Sequence, residues 1–147
     1  MLEVNNVSKS FGETKVLSNL SFSLLKDNVL AIVGPSGGGK TTLLNLIAKL
    51  DEPDTGTIHI EGSNGSFSYM MQNASLLPWR TLAENARLGV EVVQGISHEQ
   101  VIASVDEYFR AFDLASFKNH YPDAASAGMK QRVALIRTLL LESPLLL

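Results

Sequence analysis

Between Gly34 and Thr42 the chain reads GPSGGGKTT. Gly34, Gly39, Lys40 and Thr41 have the spacing G-x-x-x-x-G-K-[ST], and each position has a chemical reason. Glycines let the backbone curl so that successive N–H groups point inward, which makes a concavity for anions. Lys40 ends the loop with a compact positive charge for β- and γ-phosphates, and the Thr41 hydroxyl is a hard oxygen ligand suited to Mg²⁺. A helix beginning near Lys40 adds its positive N-terminal end. Gly34, Pro35, Ser36, Gly37, Gly38, Gly39, Lys40, Thr41 and Thr42 are therefore the expected nucleotide-binding segment. The run Gly37–Gly38–Gly39 costs extra ordering entropy, so the loop carries more glycine than the bare pattern asks for.

The flanking elements must place this loop. VLAIV, from Val29 to Val33, is a continuous apolar run bounded by Asp27–Asn28 and Gly34. That pattern predicts a strand buried on both faces, as in a parallel sheet. Downstream, Leu43, Leu44, Ile47, Ala48 and Leu50 predict the apolar face of a helix over 42–50. LEVNNV and NLSFSL before the loop alternate like strands, EPDTG reads as a turn, and TIHI and SFSYM read as short strands around EGSNGS. From Thr81 the period becomes helical. TLAENARLG is one helix, and SHEQVIASVDEYFRAFDL is a second, with Ser97 as N-cap and Gln100 at the capping-box position. Ser126 to Leu141 is a third, ending ahead of Pro144 because proline lacks the N–H and restricts its predecessor. Leu145 to Leu147 begin a strand.

A chain of 147 residues suffices for one domain, and 45% apolar with 18% charged residues is a globular composition. The net charge of −3 argues against a general nucleic-acid binder. With no cysteine, disulfides and thiolate metal sites are excluded. His59, His98 and His120 lack metal-ligand spacing and are expected to be structural or solvated. MLEVNNVSKSF contains no long apolar run, so the expectation is neither signal peptide nor membrane anchor, and a cytoplasmic chain.

Three stretches carry a resemblance: LEVNNVSKSFGETKVLSNLSFSL before the loop, YMMQNASLLPWRTLAENARLG after it, and SAGMKQRVALIRTLL near the end. In this order, with the phosphate loop, they resemble the ATP-binding subunit of ABC transporters. The wording LLPW…T..EN looks most like the importer branch for nitrate, sulfonate and taurine. The resemblance implies an α/β P-loop NTPase fold: a RecA-like ATPase core with an N-terminal antiparallel β subdomain and a helical insert, incomplete at the C-terminus. Residues 1–80 would hold the β subdomain and phosphate-loop core, 81–125 the helical subdomain, and 126–147 the signature helix and the start of the next strand. It further implies a transport ATPase that couples ATP and Mg²⁺ to solute import. Its partners would be a second ATP-binding subunit in a head-to-tail dimer, membrane permease subunits and a solute-binding protein, on the cytoplasmic side of the membrane, with no nucleic acid.

Residue roles follow from the same resemblance. Phe11 stands where the family stacks an aromatic on adenine; the competing role is a core phenylalanine of the first sheet. Gln72 matches the glutamine that touches Mg²⁺ or the attacking water, against a plain polar residue at a strand end. Thr41 and Gln72 are thus the implied Mg²⁺ ligands. Pro78 and Trp79 lie in a loop that faces the membrane subunit in this branch; Trp79 is either a docking anchor or a local core plug. The signature Leu-Ser-Gly-Gly-Gln reads here Ala125-Ser126-Ala127-Gly128-Met129. Ser126, Ala127, Gly128 and Met129 would face ATP held by the partner subunit, and the Ala127 methyl is expected to hinder that approach and any positive φ. Lys130 to Arg132 read as a solvated helix face.

The strand starting at Leu145 would end, in the family, in an Asp that holds Mg²⁺ and a Glu that polarises water. The sequence stops at Leu147, ahead of both, and Glu142 lies before Pro144 and is no substitute. The expectation is a chain that binds nucleotide with little turnover. Its alternative description is a catalytically inactive nucleotide-binding fragment from a truncated gene. A different phosphate-loop enzyme, such as a small-molecule kinase, and a non-enzymatic docking protein are the other classes compatible with the loop alone.

Overall fold

The computed structural model describes residues 1–61, 67–92 and 98–147. The Ser97 cap and most of the EGSNGS turn lie outside the described residues. The chain divides into two compact units, Met1–Phe67 with Leu147, and Ser68–Leu146.

The first unit is built on a three-stranded antiparallel sheet. Strands β1 (Leu2–Phe11), β2 (Thr14–Leu24) and β3 (Thr55–Ile60) stand in the order β2-β1-β3. Helix α1 (Lys40–Ile47) lies between β2 and β3 in sequence. Leu2, Val4, Val7, Leu17, Leu43, Leu46, Ile47 and Ala48 are the buried apolar side chains among the described residues of this unit. Strict alternation would put Val4 and Val7 on opposite faces, yet both are fully buried. A register shift between them resolves this, with Asn6 at φ 49. Asparagine tolerates that left-handed backbone better than other non-glycine residues. The disturbed ladder is repaired by side chains: Asn6 N–H donates to Ser21 Oγ (2.8 Å), and Asn19 N–H donates to Ser8 Oγ (3.0 Å).

The 29–33 run departs from expectation. It joins no strand pair, and Val29 and Val33 are 97% and 92% exposed. A run of apolar residues specifies a segment that avoids water, but a strand also needs neighbours to take its N–H and C=O groups. No described strand pairs with 29–33. Helix α1 begins at Lys40 as expected, two residues ahead of the apolar face read over 42–50, and it buries Leu46 rather than Leu44, while Leu50 is exposed.

The second unit is helical: α2 (Leu82–Arg87), α3 (His98–Ala111) and α4 (Ala127–Leu139), with single 3₁₀ turns at Val90–Val92, Ala115–Phe117 and Pro122–Ala124. Leu82, Ala86, Val105, Phe109, Leu114, Val133, Ile136 and Leu140 form one core. Val105 and Phe109 lie four apart on α3, and Val133 and Ile136 of α4 and Leu140 at its C-cap repeat at three and four, so each helix turns one stripe inward. Thr81 caps α2 through a full capping box with Glu84. Thr81-x-x-Glu84 was present in the sequence as that signal. Among the described residues of the expected strand SFSYM, Ser68 alone is bridged, in parallel to Leu146, and Ser68 N–H donates to Leu145 O (2.8 Å). That single bridge at Leu146 is what the described residues show of the strand expected from Leu145. Among the described residues no helix is long and apolar enough to cross a membrane.

Gly56 shows how tightly β3 fits. Its φ is +89, and a Cβ there would stand on the carbonyl oxygens of Asn5 and Asn6 at the bulge of β1. Gly56→Ala is expected to destabilise the chain by about 2 kcal/mol or more, read as a lower urea midpoint.

Candidate functional site

The loop 34–39 is the most elaborated local structure of the first unit. Gly38 N–H donates to Pro35 O (3.1 Å) and closes a turn. Gly37 and Gly39 have φ of 77 and 81, and a Cβ on Gly38 would press on Pro35 O at 3.0 Å. Each of the three glycines therefore holds a conformation or a space that a side chain would spoil, which explains the run despite its entropy cost. Gly39 is also wedged against Val16 and Leu17 of β2, where a Cβ would lie 2.9 Å from both side chains.

Gly39 is the N-cap of α1 and offers no side chain to the helix start. The first N–H groups of a helix have no intrahelical partner. Here no capping side chain takes them, and no acidic residue sits in the first turn to offset the positive helix end. Lys40 Nζ folds back to donate to Gly34 O (2.8 Å) and Pro35 O (2.6 Å). It braces the turn and keeps one N–H and its charge for another acceptor. Helix-start amides with no side-chain cap, a cation and the exposed Thr41 make an arrangement that fits a polyphosphate.

Phe11 ends β1 and is 53% exposed, so it is a surface aromatic and not a core residue. The ammonium of Lys9 lies over its ring, 5.3 Å from the centroid.

The second unit holds the other candidate residues. Gln72 is exposed, and its carbonyl accepts from Gln131 Nε2 (3.0 Å). Further along the loop, Ala74 O and Ser75 O accept from the guanidinium of Arg137 (2.8 and 3.3 Å). Burial lowers the pKa of Arg137, the cost of placing a cation there. Two side chains of α4 thus hold the segment 72–75. Arg132 donates to Phe112 O (2.7 Å). Lys130–Arg132 is therefore not a plain solvated face: Gln131 and Arg132 tie α4 to its neighbours.

Asn85 shapes the rest of the loop. Fully buried, it accepts from Leu77 N–H (2.7 Å) and donates to the carbonyls of Leu77, Arg80 and Thr81 (3.1, 3.0 and 2.9 Å). Leu76 packs on the helical core, while Trp79 projects, 71% exposed. Trp79 is not a core plug. Glu84 has its pKa lowered, first by the Thr81 backbone N–H and then by the Thr81 hydroxyl, so the capping box stays ionised at neutral pH.

Ser126 is the N-cap of α4, its Oγ accepting from Met129 N–H (3.2 Å). Ser126, Ala127 and Gly128 are exposed, and Met129 leans on the core. Ala127 is the first helical residue and does not have positive φ. The expected backbone penalty of its methyl is therefore absent, because the helix start asks for ordinary right-handed geometry.

Lys9, Asn85 and Arg137 were not singled out from sequence, and Gln131 was read only as part of a solvated helix face. Only the pattern T..EN hinted at Asn85; the others act across 42 to 63 residues of chain.

The family model described as ABC transporter matches residues 17–147. The aliphatic sulfonates import ATP-binding protein SsuB 1 of Shouchella clausii is 44% identical over 139 residues, 94% of this chain and 53% of that protein. The formylaminopyrimidine import ATP-binding protein ThiZ of Halalkalibacterium halodurans is 38% identical, over 100% of this chain and 59% of that protein. Among solved structures, the dimeric ATP-binding cassette MJ0796 bound to ADP and Pi superposes with a TM-score of 0.84 at 29% identity, covering 99% of this chain and 72% of that one. The chain spans about half the length of the curated relatives it matches.

Two substitutions separate the roles around Trp79. Trp79→Ala is expected to change stability by less than about 0.5 kcal/mol, since its ring is on the surface. Asn85→Ala should cost about 2–3 kcal/mol by orphaning the buried polar groups of Leu77. Urea unfolding of both variants reads the difference.

Proposed function

The chain belongs to the ABC transporter family, and on that premise we propose that it acts as the ATP-binding subunit of an importer, coupling ATP to solute uptake. The observation that carries this reading is the loop 34–39 with the uncapped start of α1 and Lys40. Its inward amides would hold the phosphates, Lys40 would neutralise their charge, and Phe11 would stack on the adenine ring. Thr41 supplies a hard oxygen donor that suits Mg²⁺, which when bound draws off negative charge from the phosphates. The likeness to a cassette bound to ADP and Pi supports the nucleotide assignment.

The partners we propose follow from surfaces. Trp79 and Pro78, exposed on a loop held from behind by Asn85 and Arg137, form the docking surface for a membrane permease subunit. Ser126 to Met129, at the exposed start of α4, would meet ATP on a second subunit in a head-to-tail dimer; the dimeric form of the cassette MJ0796 supports this. A solute-binding protein would complete the complex, and the chain would sit on the cytoplasmic face of the membrane. For the solute we propose a small sulfonate-, nitrate- or taurine-like anion, supported by the 44% identity to the aliphatic sulfonates import protein.

Calorimetric titration of the full chain with ATP and Mg²⁺ tests the reading. Lys40→Ala is expected to weaken ATP by about tenfold or more, because a charge-assisted hydrogen bond is lost together with the brace on Gly34 and Pro35. Equal affinities for the two proteins would overturn it.

A further inference from the structure

We propose that Lys9 is a positioning residue for nucleotide binding: held by the 51–54 turn, its ammonium covers one face of Phe11 and presents the other to the base. The proposal rests on Phe11 being the adenine platform, as assigned above.

The geometry is over-determined on the lysine side. Lys9 Nζ donates to Asp51 Oδ1 (2.8 Å) and Glu52 O (2.6 Å), with Asp54 Oδ1 at 4.0 Å. Its side chain is only 12% exposed. The turn that holds it is itself stitched to β1. Asp54 N–H donates to Ser8 O (2.9 Å), and Ser10 N–H donates to Asp54 Oδ2 (2.7 Å). Asp51 Oδ1 also accepts from Glu52 N–H (2.8 Å), which orients the carboxylate. The hydrogen bond from Lys9 is the first cause that keeps the Asp51 carboxyl below its ordinary pKa, so the pair is ionic at neutral pH.

Phe11 on its own has nothing comparable. It sits at the end of β1, half exposed, one residue from the hairpin turn. A free aromatic there samples rotamers, and a base that stacks on it must stop that motion at an entropic cost. A cation fixed over the ring narrows the choice in advance through the ring quadrupole. An exposed lysine would be too mobile for this, and the contacts to Asp51 and Glu52 remove that mobility. The same turn follows α1, whose other end carries the phosphate loop.

The mechanism separates base recognition from phosphate recognition, and the test uses that. The full chain, wild type and variants, is titrated with ATP and with inorganic tripolyphosphate, each with Mg²⁺. Lys9→Met is expected to weaken ATP about fivefold and leave tripolyphosphate unchanged. Phe11→Ala should show the same selectivity, and the Lys9→Met/Phe11→Ala double variant should lose no more than Phe11→Ala alone. Lys9→Arg, which keeps cation and ion pair, should retain wild-type affinity. Asp51→Asn, which loosens the ammonium without removing it, should reproduce part of the selective loss and guards against misfolding of Lys9→Met. Unchanged ATP affinity in Lys9→Met, equal losses for both ligands, or additive losses in the double variant would overturn the proposal. If Phe11→Ala binds ATP like wild type while Lys40→Ala does not, the platform assignment and this proposal fall together and the phosphate reading stands. Failure of the wild type to bind either ligand removes the functional reading itself.

Discussion

A helix start that keeps its N–H groups free is the constraint around which the first unit is arranged. Four amides at a helix N-terminus need acceptors, and most helices supply one from a Ser, Thr, Asp or Asn side chain. Helix α1 has Gly39 in that place, in left-handed geometry, with no side-chain acceptor and no acid in the first turn. That choice leaves the positive end of the helix for an outside anion. It also demands glycine at 39, because Val16 and Leu17 of β2 occupy the space a side chain would need. The contrast with Thr81 and Ser126 is instructive, since both cap their helices in the ordinary way.

Lys40 has a related double duty. Its ammonium bonds two carbonyls of the loop it follows, so the cation beside the helix start also holds the turn in shape. A preformed cradle of this kind lowers the ordering cost of binding, the general advantage of preorganisation.

The second unit solves a different problem, how to hold an irregular surface loop. One buried carboxamide, Asn85, satisfies backbone groups of Leu77, Arg80 and Thr81, and α4 grips the preceding residues through Gln131 and Arg137. Trp79 is left on the outside of a well-supported loop. Helix α4 carries at its start the capped Ser126 and along its side the contacts to 72–75, so the loop and the helix start are fastened to one rigid element. Such shared attachment is the physical minimum for a movement at one to be felt at the other.

The 34–42 segment was legible in the sequence because its structure is local: nine consecutive residues determine the turn, the helix start and the cation. The helices of the second unit were legible for a similar reason, since the i, i+3, i+4 pattern is read within a few residues. Family membership was legible too, carried by the order of three stretches. What the sequence left open was which side chains meet across long separations and which stay in water. Phe11 and Trp79 could each have been core or surface, because an aromatic's burial depends on the surface brought against it and not on its neighbours in the chain. VLAIV had the composition of a buried strand, but composition does not provide hydrogen-bond partners, and none of the described strands flanks it. Lys9 meets Asp51 across 42 residues and Arg137 meets Ala74 across 63. Such pairings are decided when elements pack, since only then do distant backbone carbonyls and carboxylates lie within about 3 Å of a donor.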